Sequence, residues 1–272
     1  MTGRRIDQWE IFRDLRELGV LPGMLLIVHT SMRALGQVQG GPMAVIDALL
    51  QAVTDKGTLV IPTFSWGYLS TYDQRSTASV IGAVPECART RPDFIRSFHP
   101  THSVAAKGPL ARQITENHGP AGALAKGSPF HRAAQWGAQV LMLGCDHRSN
   151  SMVHVGEDLF GIPYRSRQPE RITYGIGRDG GEYNFNVAGS PQCSIAFGAI
   201  EEPLRAVGAV RDGRIGAARS QLMSGQAIID ATFRLLEKKP DILLCTDTGC
   251  YVCREARQML AHTPAKAPGA TL

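Results

Sequence analysis

The first part of the chain pairs a helical pattern of apolar residues with a strand pattern. Asp7 is a residue type favoured at helix N-caps, and apolar side chains over residues 9–18 recur on one helical face. Gly19 follows the last turn of this predicted helix. The continuous apolar run over residues 24–28 is typical of a strand covered on both faces of a sheet.

The same order repeats further along. Pro42 begins a predicted helix with its inner face at residues 45–52, and residues 58–61 form a second buried strand. Residues 64–77 lack periodicity and predict a long functional loop, which a short helix over residues 85–90 follows. Helix, strand, loop, helix and strand in this order indicate the α/β class, a layered sheet with flanking helices.

The middle of the chain adds a third buried strand and a hairpin. Ser128 and Gly137 bracket a predicted helix, and residues 140–143 are a continuous apolar run. Apolar and polar residues alternate over residues 172–187, with Asp-Gly at residues 179–180 as the turn signal. We therefore expect an additional β-hairpin region beside the layered sheet.

The end of the chain predicts one more helix and one more strand. Residues 228–235 have helical spacing, and the apolar run over residues 242–244 predicts a last strand. The segment 263–272 is rich in Pro and Ala and predicts a disordered tail. Because no interior linker or repeat interrupts the pattern, we expect a single domain over residues 1–262.

Composition narrows the class of protein. Hydrophobic residues make up 43% and charged residues 19% of the 272 residues, as in ordinary globular proteins. No apolar run reaches the roughly 18 residues of a membrane-crossing helix, and the first residues lack the apolar core of a signal peptide, so we expect a cytoplasmic protein. The net charge of +5 is scattered, without a basic stripe or a known motif, and does not favour nucleic-acid binding.

The densest polar cluster follows the third strand, over residues 146–158. If the chain is helical from Ser149 onward, Asn150 and Glu157 each lie one turn from His154. A carboxylate can fix the tautomer of an imidazole and support the charge that it gains on accepting a proton. The spacing alone is equally compatible with a structural pair beside the core.

Two loops offer further polar groups. Residues 29–41 place hydroxyls and glycines between a strand end and a helix N-terminus, which suits an anionic ligand or is a plain turn. His99 and His102 could line a pocket or bond to the backbone, and no nearby acid or cysteine completes a usual metal site. P-loop, Rossmann and nucleophile-elbow motifs are absent from the sequence.

Three of the six cysteines cluster near the end of the chain. Cys245, Cys250 and Cys253, with the distant Cys193 as a fourth, resemble part of a zinc site. The cluster contains one C-x2-C pair with an irregular third spacing, which favours free thiols over a bound metal.

Four blocks of residues together point to a known family. They are His29-Thr30-Ser31 with Gly36, Val38, Gly40 and Gly41; His99-Pro100 with Ser103 and Gly108; Gly127-Ser128-Pro129; and Gly144 with Asn150, His154 and Glu157. Over about residues 15–236 the chain resembles the aminoglycoside 3-N-acetyltransferase family, which is distinct from the GNAT acetyltransferases.

The resemblance implies direct acetyl transfer from acetyl-CoA to an amine. His154 would be the catalytic base, and Glu157 would orient it or hold a cationic substrate. The residues that match the coenzyme A region are Ser31, Met32, Arg33, Val38, Gly40, Ser79, Val80, Thr101 and Ser103. The residues expected at the amine are Asp73, His102, Asn150 and Asp158.

The amine itself stays open. An aminoglycoside carries several positive charges and needs an acidic cleft. The candidate acids are Asp73, Glu157, Asp158, Glu201 and Glu202. An acetyltransferase for another small-molecule amine is the first alternative, and a zinc- or nucleic-acid-binding module without catalysis is the second. The sequence gives no indication of the oligomeric state.

Overall fold

A mixed seven-stranded sheet lies at the centre of the computed structural model, which describes residues 5–65, 71–118, 122–165, 171–187 and 193–262. The strands, in chain order, are β1 (Arg5–Ile6), β2 (Leu25–Thr30), β3 (Gln37–Val38), β4 (Thr58–Pro62), β5 (Thr71–Asp73), β6 (Ile95–Arg96), β7 (Val104–Lys107), β8 (Gln139–Leu143), β9 (Arg171–Ile176), β10 (Glu182–Val187), β11 (Val210–Ile215) and β12 (Ala218–Ser224). The central sheet has the order β11-β12-β8-β2-β4-β7-β6, and β2 runs parallel to both of its neighbours.

Helices cover both faces of this sheet. They are α1 (Gln8–Leu18), α2 (Met32–Leu35), α3 (Gly41–Val53), α4 (Ala83–Thr90), α5 (Ala111–Thr115), α6 (Pro129–Gln135), α7 (Ser151–Phe160), α8 (Glu201–Ala206), α9 (Gly225–Lys238) and α10 (Tyr251–His262). Short 3-10 helices span His147–Ser149, Pro163–Arg165 and Ile195–Ile200. The predicted α/β class is confirmed.

The N-terminal elements form where the sequence predicts them. Asp7 and Glu10 close a capping box on α1, in which Asp7 Oδ1 accepts from the Glu10 N–H at 2.9 Å and Glu10 Oε2 accepts from the Asp7 N–H at 3.1 Å. Gly19 ends the helix at φ 103°, a conformation that favours glycine. The cap and stop signals are therefore confirmed at both ends.

Strand β2 is buried on both faces, as its continuous apolar run predicts. Leu26 and Val28 point into the core cluster that α1 and α3 complete, whereas Ile27 points into the cluster that α6, α7 and α9 complete. Successive side chains of a strand point to opposite faces, so both helical layers pack on the same strand. This places the carboxyl end of β2 between the two layers.

The predicted hairpin is confirmed and belongs to a separate three-stranded sheet. β9 and β10 pair antiparallel around Gly180, which has a φ of +84°. β9 also pairs in parallel with β5, a short strand inside the segment 64–77 for which the sequence predicts a loop.

The strand predicted over residues 242–244 is wrong. These residues form successive turns, in which the Ile242 N–H donates to Lys239 O and the Leu244 N–H donates to Asp241 O. Pro240, just before this segment, has no N–H to donate to a strand ladder. Leu243 and Leu244 are buried in the core, which is the role of their apolar side chains. Burial explains the apolar run without a strand.

Among the described residues, no helix is long and apolar enough to cross a membrane. The predicted disordered tail, residues 263–272, lies outside the described residues. The single domain over residues 1–262 stays a prediction.

Candidate functional site

The carboxyl ends of the parallel strands β2, β4 and β8 meet at one edge of the central sheet, beside a cavity of about 530 Å³. Open α/β sheets bind ligands at this edge because the loops that leave the strands supply polar groups there. His29 and Thr30 reach the cavity from β2 and Pro62 from β4, whereas Asn150 and His154 come from the segment after β8. The polar cluster found in the sequence therefore lies at the cavity wall.

Helix α7 holds His154 in place one turn after its cap. Asn150 begins the helix, and its Oδ1 accepts a hydrogen bond from the Met152 N–H at 3.2 Å. His154 Nδ1 lies 2.7 Å from Oε2 of Glu157, and both side chains are almost fully buried. The three-residue spacing puts the two groups on one helix face.

Glu157 is held from a second direction. The Tyr164 hydroxyl, on the 3-10 helix that follows α7, donates to Glu157 Oε1 at 2.8 Å. Each carboxylate oxygen thus has its own partner, which fixes the plane of the carboxylate and, through it, the orientation of His154.

Burial sets the charge of this pair. Burial lowers the pKa of His154 below its ordinary value, although the hydrogen bond to Glu157 opposes the change. Burial raises the pKa of Glu157, but the hydrogen bonds from His154 and Tyr164 and the positive charge of Arg165 bring it below its ordinary value. The arrangement is a neutral imidazole beside a carboxylate. Since Nδ1 bonds to Glu157, Nε2 is the nitrogen that can accept a proton from a ligand.

Two histidines of the cavity wall each pack against an aromatic ring. Phe197 meets the His154 ring edge to face, with 4.7 Å between the ring centroids. His29, on β2, also lines the cavity; its ring centroid lies 5.9 Å from that of Phe130, and burial lowers its pKa to about 4. No described residue bonds to His29 Nε2, so this buried nitrogen is available to a ligand in the cavity.

A second cavity of about 580 Å³ adjoins the first and shares Thr30, Gly82 and Arg148 with it. Ser31, Met32 and Arg33, three of the residues expected at coenzyme A, line this second cavity. Arg33 and Arg148 give it two positive charges against one negative charge from Asp146, which also lines this cavity and pairs with Arg148 at 2.7 Å. A groove of this charge suits the phosphates of a nucleotide.

Other residues expected at coenzyme A have different positions. Val80 lines the first cavity, and Ser79 donates to the Phe64 carbonyl behind it. Thr101 bonds to His102 Nδ1 at 2.8 Å and supports that wall residue. Ser103 belongs to a buried network with Thr63 and Arg96. Val38, in β3, and Gly40, the N-cap of α3, are not among the described residues that line either cavity.

The candidate acids are dispersed. Asp158 accepts from the Lys126 N–H, and Asp73 accepts from the Arg75 N–H. Glu201, at the start of α8, has its Oε2 2.6 Å from His147 Nε2, and Glu202 is the next residue of that helix. The described wall of the first cavity holds Arg148 and no carboxylate.

Three residues of the site carried no signal that singled them out in the sequence. Tyr164 and Phe197 support the His154–Glu157 pair, and His147 bonds to Asn150 Nδ2 and to Glu201. Tyr164 is separated from Glu157 by the end of α7, and Phe197 is far along the chain. The position of His147 inside the polar cluster was the one usable hint.

The four cysteines that resembled a zinc site come together. The sulfur atoms of Cys193, Cys245, Cys250 and Cys253 all lie within 4.8 Å of one another. None of the four lines either cavity.

Known proteins share this architecture. The family model described as aminoglycoside 3-N-acetyltransferase matches residues 27–237. Aminoglycoside N(3)-acetyltransferase III of Serratia marcescens is 33% identical, over 84% of this chain and 96% of its own length. Among solved structures, aminoglycoside acetyltransferase AAC(3)-IVa, a histidine-to-alanine mutant in complex with a gentamicin, is 28% identical with a TM-score of 0.85, over 95% of this chain and 99% of that one. AAC-IIIb, a binary complex with CoASH, is 24% identical with a TM-score of 0.75, over 87% and 98%, and is similar in fold.

Proposed function

The chain belongs to the aminoglycoside 3-N-acetyltransferase family, and on that premise we propose that it acetylates the 3-amino group of 2-deoxystreptamine aminoglycosides with His154 as general base. Membership makes the chain an acyltransferase, and acetyl-CoA is its co-substrate. The observation that carries the proposal is the His154–Glu157 pair, 2.7 Å apart, at the wall of a cavity that continues into a positively charged groove.

The transfer follows from the chemistry of the pair. The amine nitrogen attacks the thioester carbonyl carbon, the new C–N bond forms, and the C–S bond breaks to release coenzyme A. Nε2 of His154 accepts the proton that the amine loses, and Glu157 stabilises the imidazolium. Holding the amine beside the thioester supplies much of the rate, so no acyl-enzyme is needed.

Each substrate has a place in this arrangement. The groove with Arg33 and Arg148 takes coenzyme A, with the phosphates near the guanidinium groups. The amine enters the first cavity, between His154 and His102, with Asn150 at the wall. Among the named neighbours, AAC(3)-IVa was solved with a gentamicin and AAC-IIIb with CoASH, the two classes of ligand that the proposal requires.

The test is thiol release from acetyl-CoA in the presence of an aminoglycoside. We expect His154→Ala to lower kcat by about 10²- to 10⁴-fold while the melting temperature changes little, since loss of a general base costs that much. His262→Ala, an exposed histidine at the end of α10, is the matched control and should keep full activity. Wild-type turnover in His154→Ala would reject His154 as the base.

A second substrate class is favoured by the charge of the cavity. The described wall of the first cavity carries Arg148 and no carboxylate, and Phe64, Leu124 and Phe197 make much of it apolar. These groups suit an amine with fewer positive charges than an aminoglycoside. A panel of amines separates the two: turnover of small monoamines with none of any 2-deoxystreptamine compound would assign the alternative and retain the acetyltransferase chemistry.

A further inference from the structure

Four cysteines from three separate segments converge behind the active site. Cys193 precedes the 3-10 helix Ile195–Ile200, Cys245 follows the turns after α9, and Cys250 and Cys253 lie at the start of α10. Their sulfur atoms lie within 4.8 Å of one another, and all four are free thiols. Cys245 and Cys253 are buried, and the other two are partly buried. Each sulfur therefore has three sulfur neighbours, whereas two disulfides would need each sulfur to lie close to only one other.

We propose that Cys193, Cys245, Cys250 and Cys253 bind one structural zinc ion as thiolates. A tetrahedral zinc with four cysteine ligands has Zn–S bonds of about 2.3 Å, which place its sulfurs roughly 3.8 Å apart. Sulfurs already within 4.8 Å reach that geometry by small side-chain movements. The spacing suits a single ion rather than an iron–sulfur cluster, whose ligands must surround several metal atoms. Binding releases the thiol protons and involves no oxidation or reduction.

The groups around the sulfurs suit a negatively charged centre. Zinc with four thiolates carries a net charge of −2. The Cys245 N–H donates to Cys253 Sγ at 3.3 Å, as backbone amides do around metal thiolates. The Arg257 guanidinium donates to the Cys245 carbonyl at 2.7 Å and to the Leu244 carbonyl at 3.3 Å, which puts a positive charge beside the site, although Arg257 also lies 3.8 Å from Asp241. The site thus has both a donor to sulfur and a counter-charge.

Helix α10 is held partly by apolar contacts. Cys253 and Ala256 are its buried residues, and Met259 and Leu260 pack against the core from its second half. A short helix depends on tertiary packing for its stability. Zinc would add an anchor at the other end of the helix by fixing the first turn of α10 to the segments at Cys193 and Cys245. With four protein ligands the metal has no open position, which marks a structural site.

The zinc site would also support the catalytic pair from behind. Cys193 leads into the 3-10 helix that carries Phe197, whose ring packs on His154. Helix α10 contacts the 3-10 helix Pro163–Arg165, where Tyr164 donates to Glu157. The metal would therefore fix both of these supports, although it takes no part in acetyl transfer. The proposal stands whatever amine the enzyme uses.

The test is the metal content of the full-length chain, purified without chelator or histidine tag. Elemental mass spectrometry of the acid-digested protein should find about one zinc per chain, as expected for a closed four-cysteine site. Cobalt(II) in place of zinc should give the intense visible absorption of a tetrahedral thiolate site. Cys250→Ser, which changes a partly buried ligand, should lose most of the zinc, whereas Cys87→Ser, a free cysteine on α4, should keep all of it.

Several outcomes would overturn the proposal. One is a zinc content far below one per chain while all six thiols can be titrated. Others are a disulfide between any two of the four cysteines, or iron bound in place of zinc. The last is a zinc content in Cys250→Ser that equals that of the wild type. If Cys250→Ser does not fold, the wild-type protein is titrated with a mercurial that blocks thiols. Zinc, measured with a zinc-binding dye, should be released in step with the loss of four thiolates. Release of no zinc rejects the site.

Discussion

The Tyr164 hydroxyl and the His154 imidazole hold opposite oxygens of the same buried carboxylate. Tyr164 donates to Oε1 of Glu157 at 2.8 Å, and His154 Nδ1 lies 2.7 Å from Oε2. The helix spacing brings His154 to Glu157, but the chain must turn after Gly161 to bring Tyr164 back to it. The carboxylate is therefore fixed from two sides, and each side can be removed separately.

Glu157→Gln should retain the shape of the pair and remove its charge. We expect kcat to fall by about 10²- to 10⁴-fold, because the imidazolium loses its stabilising carboxylate and the tautomer is no longer fixed. Glu157 raises the pKa of His154 against the effect of burial, so the acid limb of the kcat/KM profile should also move to lower pH. Steady-state kinetics over a pH series measure both changes. An unchanged acid limb with full turnover contradicts a base oriented by Glu157.

Tyr164→Phe should weaken the pair without removing it. The buried carboxylate loses one donor, which should cost about 1 to 3 kcal/mol of unfolding free energy in urea denaturation. Because Tyr164 positions Glu157 and does not touch the amine, kcat should fall while KM changes little. Tyr183→Phe, an exposed tyrosine on β10, is the control. Equal effects of the two variants would remove the positioning role of Tyr164.

Arg148→Ala and Arg33→Ala should raise the KM for acetyl-CoA. Each removes a guanidinium from the groove assigned to coenzyme A, and because both side chains are exposed we expect a rise of roughly twofold to fivefold, as for other solvent-screened ion pairs. Arg13→Ala, an exposed arginine on α1, should leave this KM unchanged. A KM that neither cavity variant changes would place coenzyme A elsewhere.

Gly156→Ala should destabilise the packing of α7 on α9. A Cβ at Gly156 would lie 2.7 Å from Thr232 Cβ and 2.8 Å from its Cγ2, too close for the helices to stay in position. Overpacking of this kind costs about 1 to 3 kcal/mol. Gly198→Ala, where a Cβ meets no atom within 4 Å, should cost much less in the same urea denaturation experiment. Equal stability of the two variants would show that α7 can move away without cost.

Unfolding free energy should fall as the pH is lowered from about 6.5 towards 4. Burial lowers the pKa of His29 to about 4 and of His118 to about 3, so in this range the unfolded chain binds protons that the folded chain does not. A shift of this size is equivalent to about 3 kcal/mol for His29. Urea denaturation at pH 7, 6 and 5 measures the slope, which His118→Asn should reduce. A protein equally stable at pH 5 and 7 contradicts the burial of these neutral imidazoles.

Local patterns in the sequence predicted local structure well. The cap at Asp7, the stop at Gly19, the two-sided burial of β2 and the turn at Gly180 each depend on residues a few positions apart. The prediction of a strand over residues 242–244 was wrong, because it also depended on a few neighbouring residues alone. A short apolar run reports burial, and burial does not distinguish a strand from buried turns.

By itself, the sequence determined the α/β class, the position of the polar cluster after β8 and the spacing of His154 and Glu157, because helix and strand periodicities are encoded within one or two turns. Only the tertiary structure decided which distant groups meet His154 and Glu157: Tyr164 on the far oxygen of Glu157 and Phe197 on the imidazole. It also brought together the four cysteines that the sequence could only suggest as a group. Contacts of this kind depend on the path of the whole chain, and no spacing rule over a few residues contains that path.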